Sequence, residues 1–128
     1  MTWGRGTDDY EARDQLAGFL DAGGTLIDTA DVYADGASES LLGELIAEFE
    51  IRDQIVLATK AVSRPDPDRR FDASRRHLMR ALDGSLRRLA VDCIDLWQFH
   101  AWDPWTPMEE TLAAADDAVR SGKVRYIG

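Results

Sequence analysis

Asp28, Tyr33, Lys60 and His100 are residue types that together can deliver a proton to a carbonyl oxygen. A tyrosine hydroxyl has an ordinary pKa of about 10, too high for efficient donation at neutral pH. An ammonium such as Lys60 beside the hydroxyl favours the phenolate and eases that donation. Asp28 can pair with Lys60, holding its position and its charge. His100 can donate a hydrogen bond to the substrate oxygen and select its orientation. No activated nucleophile accompanies them: there is no serine-elbow motif, and Cys93 falls inside an expected strand. Reduction of a carbonyl also needs a hydride, which side chains cannot supply, so the set calls for a nicotinamide cofactor. Singly, each residue has an ordinary explanation. The aspartate can cap a turn, the lysine can be solvated, the histidine can be satisfied at a rim, and the tyrosine can pack beside Val32. Jointly they form a small set with complementary chemistry.

The elements that must position this set read as alternating helices and strands. Four short apolar runs are expected strands: Thr25 to Ile27, Ile55 to Thr59, Cys93 to Phe99 and Val124 to Ile127. Their continuous apolar character implies burial on both faces. A first helix runs from a cap at Thr7 or Asp8 to Asp21, ended by Gly23-Gly24. A second starts near Ser38, with Leu41, Leu42, Leu45, Ile46 and Phe49 as its stripe. A third spans about Ser74 to Leu89, with Leu78, Leu82, Leu86 and Leu89 on one face. For the fourth, Thr106-Pro107-Met108-Glu109 reads as a capping box with proline at the first helical position, and Gly122 closes the helix. An extended stub, Met1 to Gly4, precedes them, and Ser63 to Arg70 reads as an exposed polar loop.

Strict alternation implies right-handed crossovers and a parallel sheet covered by helices. Asp28, Lys60 and His100 then leave three consecutive strands at one rim, and Tyr33 lies in the loop above it. An open doubly wound sheet would show a glycine-rich phosphate turn, and Gly4-Arg5-Gly6 lacks the third glycine and the spacing. A (β/α)8 barrel places its chemistry beyond the C-terminal strand ends, as here, but needs roughly 250 residues. The chain has 128.

Composition narrows the function classes. Lys and Arg number 15 against 24 Asp and Glu, a net charge of −9, which argues against a nucleic-acid partner. Arg69-Arg70 and Arg75-Arg76 therefore read as an exposed basic patch. With 45% hydrophobic and 30% charged residues the chain reads as a single globular domain, residues 1–128. No apolar run is long enough to span a membrane, and the start, Met1 to Gly6, does not read as a secretory leader. The single cysteine, Cys93, suits a reducing cytoplasm. Asp28, Asp31 and Asp35 lie close together, but no His-x-His motif follows the first strand, so no metal is expected. His77, on the third helix, reads as solvated.

The stretch Gly23-Gly24-Thr25-Leu26-Ile27-Asp28-Thr29-Ala30-Asp31-Val32-Tyr33, with Gly36, Ser38-Glu39 and Leu42-Gly43 after it, resembles the N-terminal signature of the aldo-keto reductases. Ala58-Thr59-Lys60, Ile94 to His100 and Gly122 to Gly128 are similar to further segments of that family, in the same order. The resemblance implies an α/β fold that is part of a (β/α)8 TIM barrel. It covers about the first half, βα units 1–4 plus strand 5, with the first strand ahead of this chain. It implies an oxidoreductase that reduces an aldehyde or ketone to an alcohol with NADPH. Catalytic roles carry over to Asp28, Tyr33, Lys60 and His100, with Tyr33 as general acid. Asp28 is also carried over as a cofactor contact, and Trp102, beside Asp103-Pro104-Trp105, as a substrate contact. Trp3 carries over only weakly.

The family's Ser-Asn pair for the nicotinamide carboxamide, and its pyrophosphate and 2′-phosphate sites, follow the point where this chain stops. The expectation is therefore a fragment, catalytically competent only in a full-length chain, whose open sheet edges invite self-association. The alternatives are an inactive remnant, or a non-catalytic binding module like the potassium-channel β subunits, which share the fold.

Overall fold

The structure is a computed structural model that describes residues 2–64, 66 and 68–128. Four helices and four strands alternate: α1 (Asp9–Asp21), β1 (Leu26–Asp28), α2 (Ala37–Phe49), β2 (Val56–Ala61), α3 (Arg75–Leu89), β3 (Ile94–Phe99), α4 (Met108–Arg120) and β4 (Val124–Ile127). The strands form one parallel sheet in the order β1-β2-β3-β4. Every crossover is a helix, as parallel pairing requires. The result is a partial barrel, as the alternation predicts.

The helix starts show which sequence signals act. Asp8 caps α1, its side chain accepting from the Glu11 N–H at 2.8 Å. Ser74 caps α3 in the same manner through the His77 N–H. α2 starts one residue ahead of Ser38, behind Gly36, whose φ of 91° needs a residue without Cβ. The expected capping box of α4 does not form. Pro107 occupies the cap position with no side-chain bond, because the Thr106 hydroxyl donates to Asp103 Oδ2 at 2.6 Å instead.

Two expectations about exposure are corrected. The stub is not an extended edge: Thr2 O accepts from Arg5, Gly6 and Thr7, so the described part of it is a turn, and Met1 lies outside the described residues. The first sheet edge is β1 itself. Burial on both faces holds for Leu57, Ala58, Thr59 and Trp97, whereas Leu26 is 54% and Tyr126 72% exposed, since each edge strand has a neighbour on one side only. The Ser63 to Arg70 loop is partly tied down rather than free, with Ser63 bridging Phe71 and Arg64 paired to Asp72 and Asp66; Pro65 and Pro67 lie outside the described residues.

The core lies between sheet and helices, with Leu42, Leu57, Leu78, Leu82, Ile94 and Trp97 fully buried. α2 and α3 approach closely at Gly43. A Cβ there would stand 2.6 Å from Arg88 O and 2.7 Å from Leu89 C, both backbone atoms that cannot swing aside.

Glu39 is the buried charge of this layer. Its carboxylate is fully enclosed, accepting from Thr59 Oγ1 at 2.6 Å and from Arg88 Nε and Nη2 at 2.7 Å. It thereby joins α2, β2 and α3.

Gly43→Ala is expected to force α2 and α3 apart and to destabilise the fold by about 1–3 kcal/mol, the usual range for overpacking. Urea denaturation measures it. An unchanged midpoint would show that the interface yields without cost.

Candidate functional site

The strand register sets the rim. Asp28 lies opposite Ala58 and Lys60 opposite Gln98, so the C-terminal ends of β1, β2 and β3 stand level. Beyond those ends the pairing continues through single bonds: the Thr29 N–H to Ala58 O, Asp31 N–H to Lys60 O and His100 N–H to Ala61 O, at 2.9, 3.1 and 2.9 Å. These bonds aim the chain segments that carry the polar side chains.

Lys60 Nζ donates to Asp28 Oδ2 and, at 2.8 Å, to the carbonyl of Thr29. The lysine side chain is 13% exposed and that of Asp28 46%, so the ammonium is shielded while its partner faces solvent. Lys60 Nζ also lies 5.3 Å from the centre of the Tyr33 ring, within cation–π range. His100 meets the same ring edge-on, at 5.6 Å between centres and 80° between planes. The rim thus brings Asp28, Tyr33, Lys60 and His100 together. Burial, reinforced by the Lys60 ammonium, holds His100 below its usual pKa against the pull of Asp28. The imidazole is therefore neutral at pH 7, and its buried Nδ1 has no partner among the described residues.

Tyr33 is presented by a strained turn. Over Tyr33–Gly36 the backbone makes a short 3-10 segment in which Ala34 and Asp35 have φ of 50° and 56°. Left-handed geometry costs a non-glycine residue about 1 kcal/mol or more. The turn is fastened behind by a buried contact between Thr29 Oγ1 and Ser38 Oγ at 3.2 Å, and by the Arg88 side chain against Gly36.

Trp102 lies two residues beyond His100 and is 65% exposed. Its loop is held by Asp103, whose side chain is fully buried and accepts from Thr106, the Ala73 N–H, the Trp105 N–H and Arg69. Burial alone would raise the Asp103 carboxyl; these bonds outweigh it and bring the pKa down to about 2. The brace links the loop after β3 to the loop after β2. Trp3 is remote in role, its indole N–H spent on Gln15.

Three residues carry more than the sequence reading assigned them. Glu39 was visible in principle, because it sits three residues before Leu42 and seven before Ile46, on the apolar face of its own helix. Asp103 left no such signal. Asp31, expected as a plain loop residue, is mostly buried with Oδ1 unpaired among the described residues. Burial, then the nearby Glu39 charge, raise its pKa to about 7 against the pull of Arg88. Among the described residues no cluster of three or more metal-ligand side chains occurs, so Asp28, Asp31 and Asp35 do not converge as a metal site.

Comparison with known proteins agrees with this architecture. The model of the Aldo/keto reductase family matches residues 1–128. Aldo-keto reductase YhdN of Bacillus subtilis is 41% identical over 127 residues, covering 98% of this chain and 38% of that protein. The 6-dehydroglucose reductase of Novosphingobium aromaticivorans is 46% identical over 117 residues, covering 85% of this chain and 38% of that protein. The solved structure of aldo-keto reductase AKR11C1 from Bacillus halodurans, in its holo form, superposes with a TM-score of 0.87 at 35% identity, over 96% of this chain and 42% of that one. The chain thus spans about two-fifths of the length of these proteins.

Asp31 has a consequence for stability against pH. Its folded pKa, about 7, lies above the unfolded value of about 4, so the folded state holds the proton more tightly. The stabilisation is complete below about pH 4 and is lost as pH rises through about 7. Asp31→Asn should remove this component. Melting temperatures between pH 4 and 8 should then fall less steeply for the variant; equal slopes would show that Asp31 ionises normally.

Proposed function

The chain belongs to the aldo/keto reductase family, and on that premise we propose that residues 1–128 form the N-terminal, catalytic-rim half of an NADPH-dependent carbonyl reductase barrel, with no second domain among them. The observation that carries this reading is the shielded Lys60 ammonium. It is fixed by Asp28 and Thr29 O and lies beneath the face of Tyr33, with a neutral His100 on the ring's edge.

Each residue has one task. Two of the three Lys60 hydrogens are taken by Asp28 and Thr29 O, leaving one free beside Tyr33. The Tyr33 hydroxyl gives its proton to the carbonyl oxygen, with the Lys60 ammonium 5.3 Å from the centre of its ring. Asp28 holds Lys60 in place. His100, neutral, donates one ring N–H to the same oxygen and selects the face presented. Trp102, exposed beyond His100, flanks the entering substrate.

The residues present fit the nicotinamide end of the cofactor. Asp28, paired to Lys60, leaves its carboxylate half exposed, so it can accept a hydrogen bond from a polar group of the cofactor. When bound, NADPH supplies the hydride that reduces the carbonyl carbon. The substrate class that follows is a small aldehyde or ketone.

The edges of β1 and β4, where Leu26 and Tyr126 are exposed, would be covered in a closed barrel. Left open, they would self-associate. No helix among the described residues is long and apolar enough to cross a membrane. A cytoplasmic setting is part of the proposal and rests on the lone cysteine.

In the intact protein that carries this chain, Tyr33→Phe should lower carbonyl reduction by at least about a hundredfold, the worth of a positioned general acid, with NADPH affinity unchanged. NADPH consumption and fluorescence titration read the two separately. NADPH binding without turnover of any carbonyl would favour the binding-module reading. Full activity of the variant would remove Tyr33 from its role.

A further inference from the structure

At the first turns of α3, Arg64, Arg76 and Arg80 line a pocket of about 220 Å³ together with Ser74, His77 and Asp72. Three guanidinium groups thus line it beside one carboxylate, in a chain of net charge −9, and of the three Arg64 is paired to that carboxylate and to Asp66. That carboxylate is already spent, since Asp72 is buried and paired to Arg64 and Arg69 at 3.1 and 3.2 Å, and it accepts from the Ser74 N–H at 3.0 Å. Arg76 and Arg80 are one helical turn apart, exposed, and without a carboxylate partner among the described residues. Like charges at that spacing repel. Their neutral neighbour Arg75-to-Asp117 contact shows that this helix pairs its arginines where a carboxylate is in reach.

His77 is the second observation. It lines the same pocket, and its Nε2 is buried with no hydrogen-bond partner among the described residues, contrary to the solvated position expected from sequence. Burial lowers its pKa, as do Arg64, Arg80 and Arg69, while Asp72 pulls the other way. Of these three, Arg80 alone has no carboxylate partner among the described residues. The backbone end of α3 is not the attraction. The N–H groups of Ser74, Arg75 and His77 are taken by Asp72, Glu110 and Ser74 Oγ.

We propose that this pocket binds a tetrahedral oxyanion, the phosphate group of a small ligand, between Arg76 and Arg80, with Arg64 and His77 completing its shell. Guanidinium forks match such oxygens in geometry and charge, and the bound anion would relieve the repulsion between the two unpaired arginines. The site is separate from the Tyr33 rim and independent of the reductase reading.

The two histidines make the test specific. The His77 ring is followed by NMR through a pH titration in the intact protein. Sodium phosphate, sodium sulfate or sodium chloride is added at equal ionic strength, and His100 serves as the internal reference. Phosphate and sulfate should raise the His77 midpoint by about half a unit or more, because a neighbouring anion favours the imidazolium. The shift should saturate at millimolar anion, and the His100 midpoint should stay put. Arg76→Ala with Arg80→Ala should abolish the saturable shift. Both residues are exposed, so the variant keeps its fold, and Arg80→Gln alone should weaken the response at least severalfold. Methyl phosphate separates the sources. Equal affinity assigns the pocket to the free ion, and tighter binding of the ester assigns it to a phosphorylated small molecule. An equal shift in chloride, an ionic-strength response only, overturns the proposal, as does a shift that survives in the double variant.

Discussion

The Glu39 carboxylate is the constraint on which the arrangement of the rim depends. It is fully buried, and it survives there because two hydrogen-bonding partners from different elements meet it, Thr59 on β2 and Arg88 on α3. Removing one partner of such a pair commonly costs about 3–5 kcal/mol, because the other charge stays buried and uncompensated. The pair therefore resists any shift of α2 against β2. Thr59 is the residue before Lys60, and Glu39 lies three residues beyond the end of the Tyr33 turn. One carboxylate thus fixes the strand that carries the ammonium and the helix that ends the tyrosine's loop. The glycines follow from the same constraint: a Cβ on Gly36 would stand 2.8 Å from Arg88 Cδ, and one on Gly84 3.0 Å from Arg88 Nη1.

That fixation has a local cost, which Asp31 shows. Burial is the main cause of the raised Asp31 pKa, and the Glu39 charge, committed to the arginine that Asp31 also faces, adds to it. Asp31 therefore stays partly protonated near neutral pH rather than ionising as a loop aspartate would. Ala34 and Asp35 add left-handed strain in the adjoining turn. Strain and an unmatched acid beside a candidate proton donor are typical of a site whose geometry is imposed by its surroundings. The energy that imposes it comes from the core and from the Glu39 pair.

Most of the fold was legible because its signals are local. The α1 and α3 caps at Asp8 and Ser74, the apolar runs and the glycine stops are each read within a few residues. Asp28, Lys60 and His100 could be found because they end strands, and a parallel sheet carries all strand ends to one rim. The interactions that hold the rim were harder to see, since their partners are distant in sequence. Glu39 and Arg88 are 49 residues apart, and Asp103 and Ala73 are 30. Thr106 departs from its pattern for a local reason: the pattern fits a capping box, but the buried Asp103 carboxylate three residues earlier claims the hydroxyl. His77 is enclosed rather than solvated because Arg64 and Asp72, from the loop ahead of its helix, line one pocket with Arg76 and Arg80 of the helix itself.

The two ends of the sheet divide the work. At the end opposite the rim, Asp95 accepts from the Leu57 N–H at 2.9 Å and pairs with Arg52 and Arg125 at 2.9 and 3.0 Å. Arg52 also holds the carbonyl of Cys93 at 2.7 Å. One side chain therefore ties β2, β3 and β4 together at the end where they begin. Asp103 makes a corresponding tie at the other end, but between loops rather than strands. The difference matters because strand-to-strand ties set the register once, whereas a loop-to-loop tie can be redrawn without disturbing it. Trp102 and Trp105 flank Asp103 and are both exposed, on a part of the rim that the sheet does not dictate. Asp28, Lys60 and His100, by contrast, stand on or directly after strands, and Tyr33 stands on the turn fastened by Thr29, Ser38 and Arg88. The proposed proton-handling set is thereby held by the strand register together with that turn, and the proposed substrate contact is left to the loop after β3.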